Sequence, residues 1–411
     1  MRHALRRAGR GAGFALAWAG LMAGLAGLAG CADGVLDVGG KAGSPEEVIR
    51  VVPDDGAKDV DPGVPLGVRL PSGRLERVAV RRIENETPAR VPGSISEDGL
   101  RWSPRPGVRL DLAAKYSVDV VALDGHGRRS ARHTTFTTEV PDHRFIGYFK
   151  PENRATVGTG MIVSFDFNQK IADRAAVQRA IRVTAEPPVE IVGRWFGDTR
   201  LDFRPKEYWA PGTEVTVDVR LRDVQAAPGA YGIQHRKTSF TVGRSQTSLV
   251  DAEAKTMTVR REGNAPVTIP ITAGAAKFPT YNGKMVVSEM HDVTRMNGAT
   301  VGFTDSGGKG EYDIKDVPHA MRLSKSGTFL HGNYWEDADI FGEVNLSHGC
   351  VGLRDVKGGS GETPAGWFFD RTLVGDVVEV VRSAEREIAP DNGLSGWNME
   401  WNRWKEGSAL R

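Results

Sequence analysis

The chain has 411 residues, enough for about three domains. Its 40% hydrophobic and 26% charged content is that of a folded globular protein and excludes a disordered one. With 54 basic and 52 acidic residues the net charge is +2, which excludes the concentrated basic face that nucleic-acid binding needs.

Arg2, Arg6, Arg7 and Arg10 open the chain and precede an apolar run over about residues 12–28. This is the anatomy of an export signal, and the run is too rich in Ala and Gly for a permanent membrane-spanning helix. It ends in Leu28-Ala29-Gly30-Cys31, which resembles a bacterial lipobox. That resemblance implies cleavage of residues 1–30 and acylation of Cys31, with several acyl chains holding the protein at the extracytoplasmic face of the cell membrane, beside the cell wall. The alternative is an ordinary secretory signal that leaves Cys31 incidental. Residues 31–47, Gly-rich and polar, read as a flexible tether.

Residues 48–140 carry short alternating runs such as Tyr116-Ser117-Val118-Asp119-Val120 between Asp-Gly and Pro-Gly turns, a pattern that predicts an antiparallel sandwich. Residues 141–243 repeat the plan. Leu100-Arg101-Trp102-Ser103-Pro104 matches Leu201-Asp202-Phe203-Arg204-Pro205, and Ser117-Val118-Asp119-Val120 matches Thr216-Val217-Asp218-Val219. Thr135-Phe136-Thr137 likewise matches Ser239-Phe240-Thr241. Matches in the same order predict two copies of one immunoglobulin-like module, with no disulfide. Neither copy has a cluster of His, Cys or paired carboxylates, so both read as spacers. Trp102, Trp195 and Trp209 read as core or interface residues, a surface glycan contact being the alternative.

Residues 244–383 form a third unit. Residues 255–260 and 265–272 alternate as strands, residues 328–330 are an apolar strand running into His331, and residues 377–381 read as a buried last strand. Cys350 is the one cysteine besides Cys31, and the one left as a free thiol if Cys31 is acylated. Free Cys has a pKa of about 8.5 and reacts as thiolate, so it needs an imidazole or a positive field nearby. His348, two residues away, would share a face with Cys350 in an extended segment, and a short hairpin would return His331 to it. Gly349 has no side chain, so a carbonyl oxygen could approach the N–H groups of Gly349 and Cys350 as an oxyanion hole requires. On spacing alone two other readings stand: a buried structural thiol, and a zinc site of His331, His348 and Cys350 that lacks a second Cys.

His331 followed by Ser347-His348-Gly349-Cys350-Val351 resembles the signature of the L,D-transpeptidases, bacterial cell-wall enzymes with a YkuD-type catalytic domain. Pro279-Thr280-Tyr281-Asn282-Gly283-Lys284-Met285, Met321-Arg322-Leu323 and His331-Gly332-Asn333-Tyr334-Trp335 extend the likeness. The resemblance implies a mainly β chain: two immunoglobulin-like β-sandwich domains, then a β-rich catalytic domain with a short helical C-terminal segment. Cys350 would attack the diaminopimelate carbonyl of a tetrapeptide stem, releasing D-Ala as a thioester forms, with His331 as general base. His348 would orient groups beside the thiol, Ser347 would supply polar contacts, and the Gly332 carbonyl would fix the imidazole tautomer. Tyr312 would touch substrate from a lid over about residues 302–318, Met296 from the side of that lid, and Asn333 and Trp335 from the His331 run. The implied partners are peptidoglycan stem peptides, donor and diaminopimelate-bearing acceptor, joined by 3→3 cross-links. Carbapenem-type β-lactams would be inhibitors, and no metal or organic cofactor is implied. Hydrolysis of the same bond, or a non-catalytic wall-binding lipoprotein, are the rival readings. The family usually has Asn or Arg two residues after the cysteine. Here that residue is Gly352, a change that weakens substrate positioning or shifts the contact to Arg354.

In residues 384–411, Trp397, Trp401 and Trp404 fall at i, i+4 and i+7, one face of a short helix. They predict a segment packed on the catalytic domain, with sugar stacking as the alternative.

Overall fold

The computed structural model describes residues 48–83, 89–302, 304 and 309–410; the leader, the tether and Cys31 lie outside the described residues. Among the described residues no helix is long and apolar enough to cross a membrane.

Two β-sandwiches come first. In one, a sheet ordered Arg50–Val52, Gly67–Arg69, Arg101–Pro104, Gly93–Ile95 accompanies a sheet ordered Ala89–Arg90, Arg74–Ile83, Lys115–Leu123, Arg129–Thr137. The second sandwich repeats this plan. One sheet is ordered Gly147–Lys150, Val163–Phe167, Arg200–Pro205, Ile191–Phe196; the other is Thr156–Val157, His235–Val242, Glu214–Arg220, Ile181–Glu186. The matched sequence segments fall on equivalent strands. Trp102 and Phe203 both lie on the third strand of their first sheet, and Thr135–Thr137 and Ser239–Thr241 both belong to the second. Even a detail recurs: Val60 bridges Thr138 in parallel, as Thr156–Val157 pairs in parallel with Thr241–Val242. Alternation explains the burial, since Val215, Val217 and Val219 point into the core while Thr216 and Asp218 point outward. Trp102, Trp195 and Trp209 are all buried core rings.

The third unit is built on one nine-stranded sheet. Its order is Gly283–Val286, Val377–Val381, Gln246–Asp251, Thr256–Arg261, Val267–Thr272, Val351–Arg354, Phe329–Asn333, Asp313–Arg322, Glu289–Asn297. Phe329–Asn333 is buried at every position, as a central strand covered on both faces must be. Beneath it lies a core of Leu330, Val351, Leu353, Met321, Leu323, Ala365 and Phe368.

The C-terminal segment corrects one expectation. Only Trp401 and Trp404 lie on the helix Trp401–Glu406; Trp397 sits on the preceding turn Gly396–Asn398. Trp404, fully buried, donates its indole N–H to Val192 O at 2.9 Å, and Trp397 donates to Gly160 O at 2.7 Å. Both acceptors belong to the second sandwich. All three rings surround the Arg204 guanidinium, at 4.7, 5.2 and 4.4 Å from Trp397, Trp401 and Trp404. The nine-stranded sheet is held at the other end, where Asn398 accepts from Lys284 N (2.7 Å) and donates to Lys284 O (2.8 Å). The tail therefore fastens the second sandwich to the nine-stranded sheet rather than packing on the latter alone. The helix spacing revealed a buried face but not what would cover it.

Candidate active site

Cys350 immediately precedes the strand Val351–Arg354, which pairs in parallel with Phe329–Asn333 in the register His331↔Gly352. A parallel pair requires a crossover, so residues 334–350 return to the site as a crossover connection and not through the expected hairpin. The return is pinned by two side chains. Thr272 Oγ1 donates to Val344 O (2.8 Å) and accepts from Leu346 N (3.1 Å). Asn345 accepts from Ala273 N and donates to Ala252 O, both at 2.8 Å. Neither residue was singled out by the sequence, because the partners of both are backbone groups distant along the chain.

Residues 347–350 are a turn and not an extended segment. Gly349 sits at φ +101°, a left-handed conformation that favours glycine, so the presence of Gly here is a backbone requirement. Ser347 Oγ closes the turn, donating to Cys350 O at 2.6 Å and accepting from Gly349 N at 3.1 Å. This corrects the expectation for Gly349: its N–H is already donated to Ser347, so it faces no incoming oxygen in this state.

A cavity of about 170 Å3 brings the candidate residues together. Cys350, His331, His348, Ser347, Asn333, Trp335, Tyr312 and Met296 line it, with Ile314, Glu336 and Leu346 added by the structure. Gly332 is not among the lining residues, but its carbonyl meets His331 Nδ1. Arg354, the expected substitute contact for Gly352, is exposed at the strand end and does not line the cavity. A larger cleft of about 310 Å3 between the second sandwich and the catalytic unit, lined by Tyr148, Lys150, Arg200 and Arg322, holds no thiol.

The imidazole of His331 is buried, and its Nδ1 lies 3.0 Å from Gly332 O. A carbonyl only accepts, so Nδ1 carries the hydrogen and Nε2 is left as the basic nitrogen. Trp335 stacks on the ring at 5.5 Å and 16°. Burial holds His331 below its ordinary 6.5, offset in part by the Gly332 hydrogen bond. Cys350 is packed among Met296, Val317, Ala320 and Phe329. Burial pushes its thiol up from 9.0 to about 11, against smaller opposing effects from the Phe329 amide and the Arg322 charge. Its Sγ lies 3.6 Å from Gly327 O, an acceptor that suits a protonated thiol.

His348 is held by its surroundings: Nε2 is 3.2 Å from Glu311 Oε2, and the ring stacks on Phe278 at 4.7 Å and 21°. Tyr312 lies 5.1 Å from the same ring. Burial, then the nearby Cys350 charge, raise the phenol to about 12, so it stays a hydroxyl donor. Met296 pairs with Ile314 across the hairpin of Glu289–Asn297 and Asp313–Arg322. Residues 313–318 of the expected lid are therefore strand, while residues 303 and 305–308 lie outside the described residues. Among the described residues no three His, Cys, Asp or Glu side chains group as metal ligands, so His331, His348 and Cys350 do not form the zinc set weighed from spacing.

Comparison with known proteins defines the class first. The family model of an L,D-transpeptidase catalytic domain matches residues 245–380, and that of a bacterial Ig domain matches residues 57–225. L,D-transpeptidase 2 of Mycobacterium tuberculosis is 33% identical over 355 residues, covering 86% of this chain and 83% of that protein. L,D-transpeptidase 5 of the same species is 30% identical over 390 residues, covering 93% and 82%. A solved LD transpeptidase in complex with imipenem is 28% identical and covers 59% of this chain and 100% of its own, with a TM-score of 0.47. The chain belongs to the L,D-transpeptidase family.

Proposed function

We propose that this chain is a peptidoglycan L,D-transpeptidase that forms 3→3 cross-links through a thioester on Cys350. The observation that carries the reading is one cavity holding both Cys350 and an imidazole whose Nδ1 is tied to Gly332 O, so that Nε2 is basic. In the first half-reaction Cys350 Sγ loses its proton to His331 Nε2 and attacks the diaminopimelate carbonyl of a tetrapeptide stem. The amide C–N bond breaks, His331 returns the proton to the departing amine, and D-Ala leaves. In the second, an amine of a neighbouring stem's diaminopimelate gives a proton to His331, attacks the thioester and restores the thiol. Tyr312 and Met296 contact the donor from the hairpin side and Trp335 from the crossover, while His348 and Ser347 hold the groups around the nucleophile in place.

The same thiol would open a carbapenem-type β-lactam ring and remain acylated. Lipidation of Cys31 would hold the enzyme at the extracytoplasmic membrane face, with the two sandwiches carrying the site outward. The test is product analysis with a tetrapeptide-containing muropeptide. The reading expects a 3→3 dimer and free D-Ala, both lost in Cys350→Ala. Tripeptide monomer alone would mean that water replaces the acceptor amine, and an unchanged muropeptide would mean a wall-binding protein without catalysis.

A further inference from the structure

Gly352 stands beside His331 in the parallel strand pair and offers no side chain there. Its backbone is not left-handed, so it is space and not conformation that excludes a larger residue. A Cβ there would lie 2.9 Å from Thr272 Cγ2 and 3.4 Å from both Cβ and Nδ2 of Asn333. The amide nitrogen of Asn333 thus borders the place where a Gly352 side chain would begin.

Asn333 follows His331 by two residues on one strand, so both side chains project from the same face. It is buried, and its orientation is fixed by its own turn: Oδ1 accepts from Trp335 N at 3.3 Å and from Glu336 N at 3.2 Å. Two N–H donors require the oxygen on that side, which puts the NH2 on the other. Among the described residues Nδ2 donates to no protein group, and Asn333 lines the cavity. The Gly349 N–H is already engaged by Ser347, and no Lys or Arg lines the cavity. A peptide carbonyl or carboxylate oxygen entering beside Cys350 therefore meets Asn333 as a ready, pre-oriented donor.

We infer that Asn333 Nδ2 holds an oxygen of the acyl-donor peptide beside Cys350, supplying from the neighbouring strand the polar group that Gly352 lacks. This rests on the function proposed above.

Asn333→Asp tests it, because one carboxylate oxygen keeps the acceptor for the Trp335 and Glu336 amides while the other replaces the donor with a charged acceptor that repels an incoming oxygen. With a tetrapeptide donor, D-Ala release by Asn333→Asp should show KM raised about tenfold or more, with kcat within about threefold, as loss of a binding contact requires. A relocation variant asks the same question in reverse. In Thr272→Ser/Asn333→Ala/Gly352→Asn, Ser keeps the hydroxyl that serves Val344 and Leu346 while clearing the methyl, and the amide moves to position 352. Its KM should fall back toward wild type from that of Asn333→Ala alone. An unchanged KM in Asn333→Asp, or a fall in kcat at constant KM, would overturn the inference while leaving the transpeptidase reading standing. Failure of the wild-type protein to release D-Ala would overturn both.

Discussion

Alkylating Cys350 across a range of pH separates two ways of making a thiol nucleophilic. Burial lifts this thiol to about 11 and holds His331 below 6.5, so near neutrality the resting pair is a protonated thiol beside a neutral imidazole. Raising a thiol from 9.0 to about 11 disfavours the thiolate by about 3 kcal/mol. It leaves on the order of one thiolate in ten thousand at neutral pH, against a few per cent for an ordinary cysteine. Iodoacetamide should therefore react slowly with the free enzyme at pH 7, at a rate rising about tenfold per pH unit up to about pH 10. His331→Ala should change that rate by no more than about threefold, because no ion pair is present to lose. Acyl transfer behaves oppositely, because it needs unprotonated Nε2 at the moment of attack. A lowered imidazole pKa keeps the base neutral further into acid, so the acid limb of kcat/KM should fall below pH 6.5, activity being lost as pH drops through the lowered value. An alkylation rate already at its plateau by pH 7, and lost in His331→Ala, would show a preformed thiolate–imidazolium pair and refute this reasoning.

Three further expectations follow from named contacts. Trp404→Ala should destabilise by about 3–5 kcal/mol in chemical denaturation, the range for an indole removed from a closed core, without touching the cavity. Ser347→Ala removes an acceptor from Gly349 N and a donor to Cys350 O; it should cost about 1–3 kcal/mol and loosen the Cys350 turn, read as a fall in kcat/KM larger than the fall in melting temperature implies. In single-turnover acylation, His331→Ala should be slower than wild type by about a hundredfold or more, and His348→Gln by less. The opposite order would exchange their roles.

Much of this was legible in the sequence because it was local. The thiol, its two histidines and the glycine turn occur together within residues 331–350, and the repeated strands of the sandwiches align segment by segment. What was not legible depended on long-range pairing. The apolar run at residues 328–330 marks a strand leading into His331 but does not distinguish a hairpin from a parallel crossover. The spacing of Trp401 and Trp404 shows that a face is buried, yet only the fold shows Arg204 and Val192 of the second sandwich against it. Gly349 looked available as a donor because the competing Ser347 hydroxyl depends on a turn whose φ no sequence displays. The raised thiol has the same origin, since the residues that desolvate Cys350 come from three separate strands.

The central claim, that Cys350 carries the acyl group with His331 as its base, is most directly tested by intact-protein mass spectrometry. The protein would be mixed with a tetrapeptide donor in the absence of acceptor and sampled over the first turnover. The account predicts a single adduct of the donor less D-Ala, mapping to Cys350, slow to appear in His331→Ala and absent in Cys350→Ala. Cross-linked product formed with no adduct on Cys350, or an adduct that persists in Cys350→Ala, would contradict it.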